Sequence, residues 1–188
     1  MGSTKGSGIA DGHEWVDLGL PSGTKWATMN VGATTPEGYG DYFAWGETTT
    51  KSSYSSSNYN YSSDPTTLPL ERDAAYVNWE SSWRMPTAQE TDELINTSYT
   101  TWTWTTQSGV NGYKVTSKTN GNSIFLPAAG YRYGSDLNDV ASLGSYWSSS
   151  LDTSSSGYAY GLGFGSGNMS KSSRNRYYGC TVRPVLCE

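Results

Sequence analysis

This chain is short of the residues that most chemistry needs. One histidine, His13, and two cysteines, Cys180 and Cys187, occur in 188 residues. A tetrahedral Cys/His metal set cannot be assembled from them. A Ser-His-Asp or Cys-His arrangement would have to use His13, and no nucleophile motif supports one; the plain reading of His13 is a surface or edge-strand residue. Between the cysteines lies "TVRPVL". If extended, those six residues hold the ends roughly 20 Å apart, far beyond the ~7 Å a disulfide spans, so the two should not pair. No apolar run approaches the ~20 residues of a membrane helix. The 12 Lys and Arg are scattered through a chain of net charge −5, which argues against a nucleic-acid partner. There is no EF-hand loop, and the glycines of "GLGFGSG" open no helix, so a dinucleotide-binding reading fails on context. Nothing in this inventory marks an enzyme, and no cofactor is implied.

Aromatics and small residues are abundant: 8 Trp, 15 Tyr and 22 Gly, with Ser and Thr throughout. Gly, Ser and Thr are poor helix formers and aromatics suit strands, so the mixture points to short strands and many turns. The opening "MGSTKGSGIAD" (1–11) reads as a tag or linker, and 12–188 as one domain. "EWVDLGL", "KWATMNVG" and "DYFAWGE" read as strands between Pro/Gly turns, and residues 48–69 as a long polar surface loop. One helix is expected from about Leu70, with Ala74, Ala75 and Val77 toward a core. A second is marked by a capping box, Thr87 with Glu90 three residues on. That box also accounts for the Glu90/Glu93 pair without catalysis. Alternation then takes over in "TTWTWTT", with an Asn-Gly hairpin signal at Asn120–Gly121. The sequons at Asn60, Asn96 and Asn168 are ordinary in a chain so rich in Asn, Ser and Thr.

The string "YGLGFGSG" (160–167) separates two parities. Tyr160, Leu162 and Phe164 suit a buried strand face, whereas Gly161, Gly163 and Gly165 leave the other face without side chains.

Seven ordered strings, "HEWVDLGLPSGTKWATMNVGA", "GDYFAWGE", "DAAYVNW", "WRMPTAQE", "NGNSIFLPAAGYR", "YWSSS" and "TVRPV", together resemble the Fibrobacter succinogenes major paralogous domain of Bacteroidetes-type surface proteins. The resemblance implies an α+β, C-type lectin fold of the formylglycine-generating-enzyme-like subclass: two helices on short antiparallel sheets, with long loops. The C-terminal part (about 146–185) is similar to the variable proteins of diversity-generating retroelements, where adenine-directed mutagenesis rewrites asparagine codons into Ser, Gly, Tyr, Asp and others. The residues that fit this set are Asp152, Ser154, Ser155, Ser156, Gly157, Tyr158, Gly161, Gly163, Gly165, Ser170, Ser172, Ser173, Asn175, Tyr177 and Tyr178, with Cys180 left open. Trp147, Leu151, Ala159, Leu162, Phe164, Val182, Arg183 and Pro184 would be the scaffold between them.

The resemblance therefore implies a non-enzymatic receptor-binding protein, displayed at a bacterial cell surface or on a phage virion by an anchor outside this chain. Its ligand would be a protein or glycan on another cell or phage. Tyr158, Tyr177 and Tyr178 would anchor the contact, as tyrosines do in paratopes. An invariant adhesin or glycan-binding module is the alternative, motivated by exposed-looking Trp102 and Trp104. A calcium-dependent lectin site and a thiol oxidase are both disfavoured, the first for want of an acidic loop and Trp-Asn-Asp string, the second by the cysteine spacing.

Overall fold

A computed structural model describes residues 6–187. The chain is mostly β, 41% strand against 11% helix, in several antiparallel sheets and a half-barrel. The expectation of an α+β lectin fold built on two helices is thereby overturned. Both helices lie where the sequence marks them but are too short to form a layer. α1 (Ala74–Trp79) stops at Glu80, which takes the left-handed φ of 71°. α2 (Ala88–Ile95) runs two turns before Asn96 turns extended. The Thr87–Glu90 capping box closes as expected, with Glu90 N–H donating to Thr87 Oγ1 at 3.2 Å and Thr87 N–H to Glu90 Oε2 at 2.8 Å. Ahead of α1 stands a 3₁₀ turn, Leu70–Arg72, and Val77 is 49% exposed instead of facing a core.

Thirteen strands are described. β1 (Ser7–Ala10), β2 (His13–Asp17), β3 (Lys25–Ala27), β4 (Trp83–Arg84) and β13 (Val185–Leu186) form one sheet in the order β1-β2-β3-β13-β4. Part of the stretch expected to be a tag or linker is thus a strand, and residues 1–5 lie outside the described residues. β5 (Thr100–Gln107), β6 (Val110–Ser117) and β7 (Ser123–Pro127) form a meander. Its first turn, Ser108–Gly109, has φ of 47° and 80°, the left-handed pair that a two-residue hairpin requires. The Asn120–Gly121 signal sits in the five-residue connection 118–122. β8 (Tyr131–Tyr133) pairs with β9 (Asp136–Asn138). β10 (Gly144–Leu151), β11 (Tyr158–Gly165) and β12 (Asn168–Asn175) make the sheet that carries the candidate site.

"DYFAWGE" is not a strand beyond a single bridge, Phe43 to Cys180. Tyr42, Phe43, Ala44 and Trp45 are all buried, and side chains replace a ladder: Tyr42 donates to Ala129 O at 2.6 Å and Trp45 Nε1 to Ser148 O at 2.9 Å. The polar run 48–69 is not simply a surface loop either. It sends Tyr54, Tyr61 and Leu68 into the interior at 1%, 7% and 5% exposure.

Candidate ligand-binding surface

Cross-strand register assigns the two faces of the β10-β11-β12 sheet. Tyr146, Leu162 and Lys171 lie across from one another, as do Gly144, Phe164 and Met169. This face enters the core, where Phe164 meets Tyr113 at 5.3 Å and both Trp102 and Trp104 edge-on. The two tryptophans are therefore half-buried packing groups, which removes the motive for reading them as a glycan platform. The opposite face carries Trp147, Gly161 and Ser172 in one row and Gly163 with Ser170 in the next.

The glycines on that face are not equivalent. A Cβ on Gly161 would lie 2.2 Å from the carbonyl oxygen of Tyr146, so no side chain fits there without moving backbone. Gly161 borders a bulge, where Ser148, Ser149 and Ser150 of β10 oppose Tyr160 alone. At Gly163 a Cβ would meet only Ser172 Cβ, at 3.2 Å, and at Gly165 the Leu143 side chain at the same distance. At Gly157 nothing is closer than Ser155 Oγ at 4.0 Å. Gly161 is thus a structural requirement, while Gly157, Gly163 and Gly165 sit where a neighbouring side chain can give way.

Asp152 also has an internal role. At 8% exposure it organises the loop behind it: Oδ1 accepts from Ser154 N at 2.8 Å and Ser154 Oγ at 2.7 Å, and Oδ2 accepts from Ser173 Oγ. Burial pushes its carboxyl up, but the bonds from Ser173, Ser154 and Tyr160 outweigh it and hold the pKa at about 2. Ser154, Ser155, Ser156, Gly157 and Tyr158 are exposed on the loop so formed. An open depression of ≈ 280 Å³, lined by Thr66 and the run from Leu151 to Ser156, lies beside it.

The remaining expected residues divide between the two faces of edge strand β12. Ser173 and Asn175 lie across from Tyr160 and Tyr158, while Ser170 and Ser172 lie across from the glycines. Tyr177 and Tyr178 follow β12 and meet two aromatics that sequence reasoning missed, Tyr131 and Tyr133 of the β8-β9 hairpin. Tyr178 stacks on Tyr131 at 5.6 Å with the rings 4° apart, and packs on Tyr133 at 5.1 Å and Tyr177 at 5.2 Å. Arg174 lies over the Tyr131 ring at 4.5 Å, with its Nε buried and unpartnered among the described residues. Tyr133 and Tyr158 are 51% and 38% exposed. From Ser172 through Arg174 to the four clustered tyrosines, the glycine-bearing face runs into one aromatic surface. The "YRY" alternation at 131–133 puts both tyrosines on one side of a strand and was the signal available for them.

Arg176 sits between two expected contact residues yet is 5% exposed. Its guanidinium donates to Asp64 Oδ1 (2.7 Å), Ser156 O (2.9 Å), Tyr61 O (2.9 Å), Ser63 O (2.7 Å) and, through Nε, Tyr59 OH (3.0 Å). It also lies over Trp45 at 4.8 Å. Cys180, left open as a variable position, is fully buried, its Sγ 3.3 Å from Ser145 Oγ, and burial raises its pKa to about 11. Both cysteines are free thiols. His13 stacks on Trp79 at 3.6 Å, and burial lowers its pKa. No helix among the described residues is long and apolar enough to cross a membrane.

Residues 102–185, from within β5 to Val185, match a domain of unknown function, DUF8237, and this stretch contains Tyr131, Tyr133, Tyr177, Tyr178 and the strands β10 to β12. No curated protein and no solved structure matches.

Proposed function

We propose that this chain is a non-enzymatic ligand-binding protein whose contact surface is the tyrosine cluster Tyr131, Tyr133, Tyr177 and Tyr178, continued along the Ser/Gly face of β11 and β12. The observation that carries the reading is the cluster itself. Four phenol rings are gathered at the end of an edge strand, beside an arginine whose Nε has no partner. Tyrosines give large, rigid contact area at low entropic cost, and the flanking serines supply adaptable hydrogen bonds. The partner is a protein or glycan carried by another cell or a phage, and the protein works at a cell or virion surface.

The similarity to retroelement variable proteins gives this surface its origin: a set of rewritten asparagine codons. Packing narrows the set to Ser154, Ser155, Ser156, Gly157, Tyr158, Gly163, Gly165, Ser170, Ser172, Ser173, Asn175, Tyr177 and Tyr178. Gly161 and Asp152 belong with the fixed residues, because one has no room for a Cβ and the other holds the loop. The test is the gene's surroundings. A near-identical template repeat should carry adenines at the codons of the narrowed set and match the gene at Gly161, Ala159, Leu162, Phe164 and Arg176. Absence of both a template and a reverse transcriptase would sink the diversification reading. Binding is tested separately, by whether Tyr177→Ser with Tyr178→Ser abolishes adhesion of the purified protein to a panel of bacterial cells.

A further inference from the structure

The segment from Thr181 to Val185 is buried on both sides. Val182 O accepts from Val31 N at 3.0 Å and Pro184 O from Ala27 N at 2.9 Å, so the backbone is tied between neighbours and Arg183 is turned inward at 1% exposure. Its Nε donates to Asn30 Oδ1 at 2.8 Å and its Nη1 to Ala27 O at 3.2 Å. Both acceptors are neutral. Among the described residues Nη2 is buried without a partner, and so is Nε1 of Trp26, itself 2% exposed.

Those two residues line one internal cavity, together with Pro86, Thr91, Leu126, Tyr146, Trp147 and Leu162. Its volume is ≈ 10 Å³, room for a single water-sized guest. The neighbouring polar groups are already engaged: Tyr146 OH donates to Pro127 O and Trp147 Nε1 to Phe43 O, each at 2.6 Å. The groups left over are a guanidinium N–H and an indole N–H, donors both.

We propose that this cavity binds a monatomic anion, chloride or bromide, held by Arg183 Nη2 and Trp26 Nε1. A buried cation with only neutral partners is expensive, and breaking up or omitting its counter-charge is strongly destabilising. A halide offsets the charge and asks for donors alone. Water would satisfy both donors but would bring two hydrogens of its own, for which the lining side chains offer only the Thr91 and Tyr146 hydroxyls. The low pKa of Arg183, about 10, has burial as its first cause and agrees with a guanidinium that lacks a carboxylate.

The experiment refolds the full chain in sodium bromide and collects data at the bromine absorption edge. An anomalous peak in contact with both nitrogens is expected; a well-ordered water there, with no bromine signal, overturns the proposal. In solution, the protein refolded without halide and titrated with chloride against gluconate at constant ionic strength should gain thermal stability with chloride. Arg183→Met is liable to fail to fold, so Trp26→Phe is the informative variant. It keeps the aromatic bulk, removes one donor, and should weaken the chloride midpoint about tenfold. An unchanged midpoint in Trp26→Phe, or no chloride response in the parent, rejects the site.

Discussion

Residues 48–69 and 152–178 are both rich in Ser and Tyr, the first with Thr among them and the second with Gly, and fold to opposite ends. The first puts Tyr54 and Tyr61 into the interior; the second leaves Tyr158 and its serines in solvent. The difference lies in what each segment finds opposite it. Tyr54 OH donates to Tyr42 O at 2.5 Å and accepts from Lys51 N at 3.2 Å, while Gly46 leaves the space that the Tyr61 ring fills. Burial pushes the Tyr59 hydroxyl up to about 12, with the Arg176 guanidinium pulling the other way. The loop after Asp152 instead keeps Tyr158 38% exposed beside an open depression. Polar, tyrosine-rich composition therefore does not separate a contact surface from a structural plug; satisfied hydroxyls do.

That contrast can be broken most directly at Tyr54. Tyr54→Ala should cost about 3–5 kcal/mol, read as a shift of the urea midpoint at constant slope. A loss under about 1 kcal/mol would mean the run behaves as the surface loop its composition suggests. Next in size is Arg176→Met, which removes the hydrogen bonds joining the run 59–64 to Ser156. About 2–3 kcal/mol is expected, with new proteolytic cleavage within 48–69. Cleavage confined to 152–157 would show that the clamp serves the other segment.

The comparison is sharpened within a single strand by Gly161→Ala against Gly163→Ala. The first forces a Cβ onto the Tyr146 carbonyl and should cost about 1–3 kcal/mol; the second should stay within about 0.5 kcal/mol. Equal effects would refute the distinction. A smaller, pH-dependent effect belongs to Asp152. Its folded pKa of about 2 lies below the unfolded value of about 3.9, so its contribution is full above about pH 4 and is lost as pH falls toward 2. Asp152→Asn should flatten the stability profile across that window in a pH series of thermal melts.

Much of this was legible where a local rule has one answer. The Thr87–Glu90 capping box, the alternation of "TTWTWTT" and the unpaired cysteines all follow from geometry within a few residues. What failed depended on distant partners. The lectin architecture inferred from resemblance gave way because α1 and α2 are too short to cover a sheet. "YGLGFGSG" shows the same limit inside one strand. Parity correctly sent Leu162 and Phe164 inward, but only the close approach of the Tyr146 carbonyl decides that Gly161 is obligatory and Gly163 is not. Asp152 and Arg176 look like their exposed neighbours in sequence, and three-dimensional hydrogen bonding alone distinguishes them.

At the proposed contact surface the expected stability change is small beside that of Tyr54→Ala, and that is its point. Tyr177→Ser and Tyr178→Ser remove rings that pack on the half-buried Tyr131 and the exposed Tyr133, with Tyr178 also bordering the core. Each aromatic pair of this kind contributes about 0.5–1.5 kcal/mol, and replacing both rings should still lower stability by less than Tyr54→Ala does. Ligand binding should be lost altogether, because paired hot-spot tyrosines dominate such interfaces. If the double variant instead melts as early as Tyr54→Ala, the cluster is part of the core, and the two tyrosine-rich stretches do the same work.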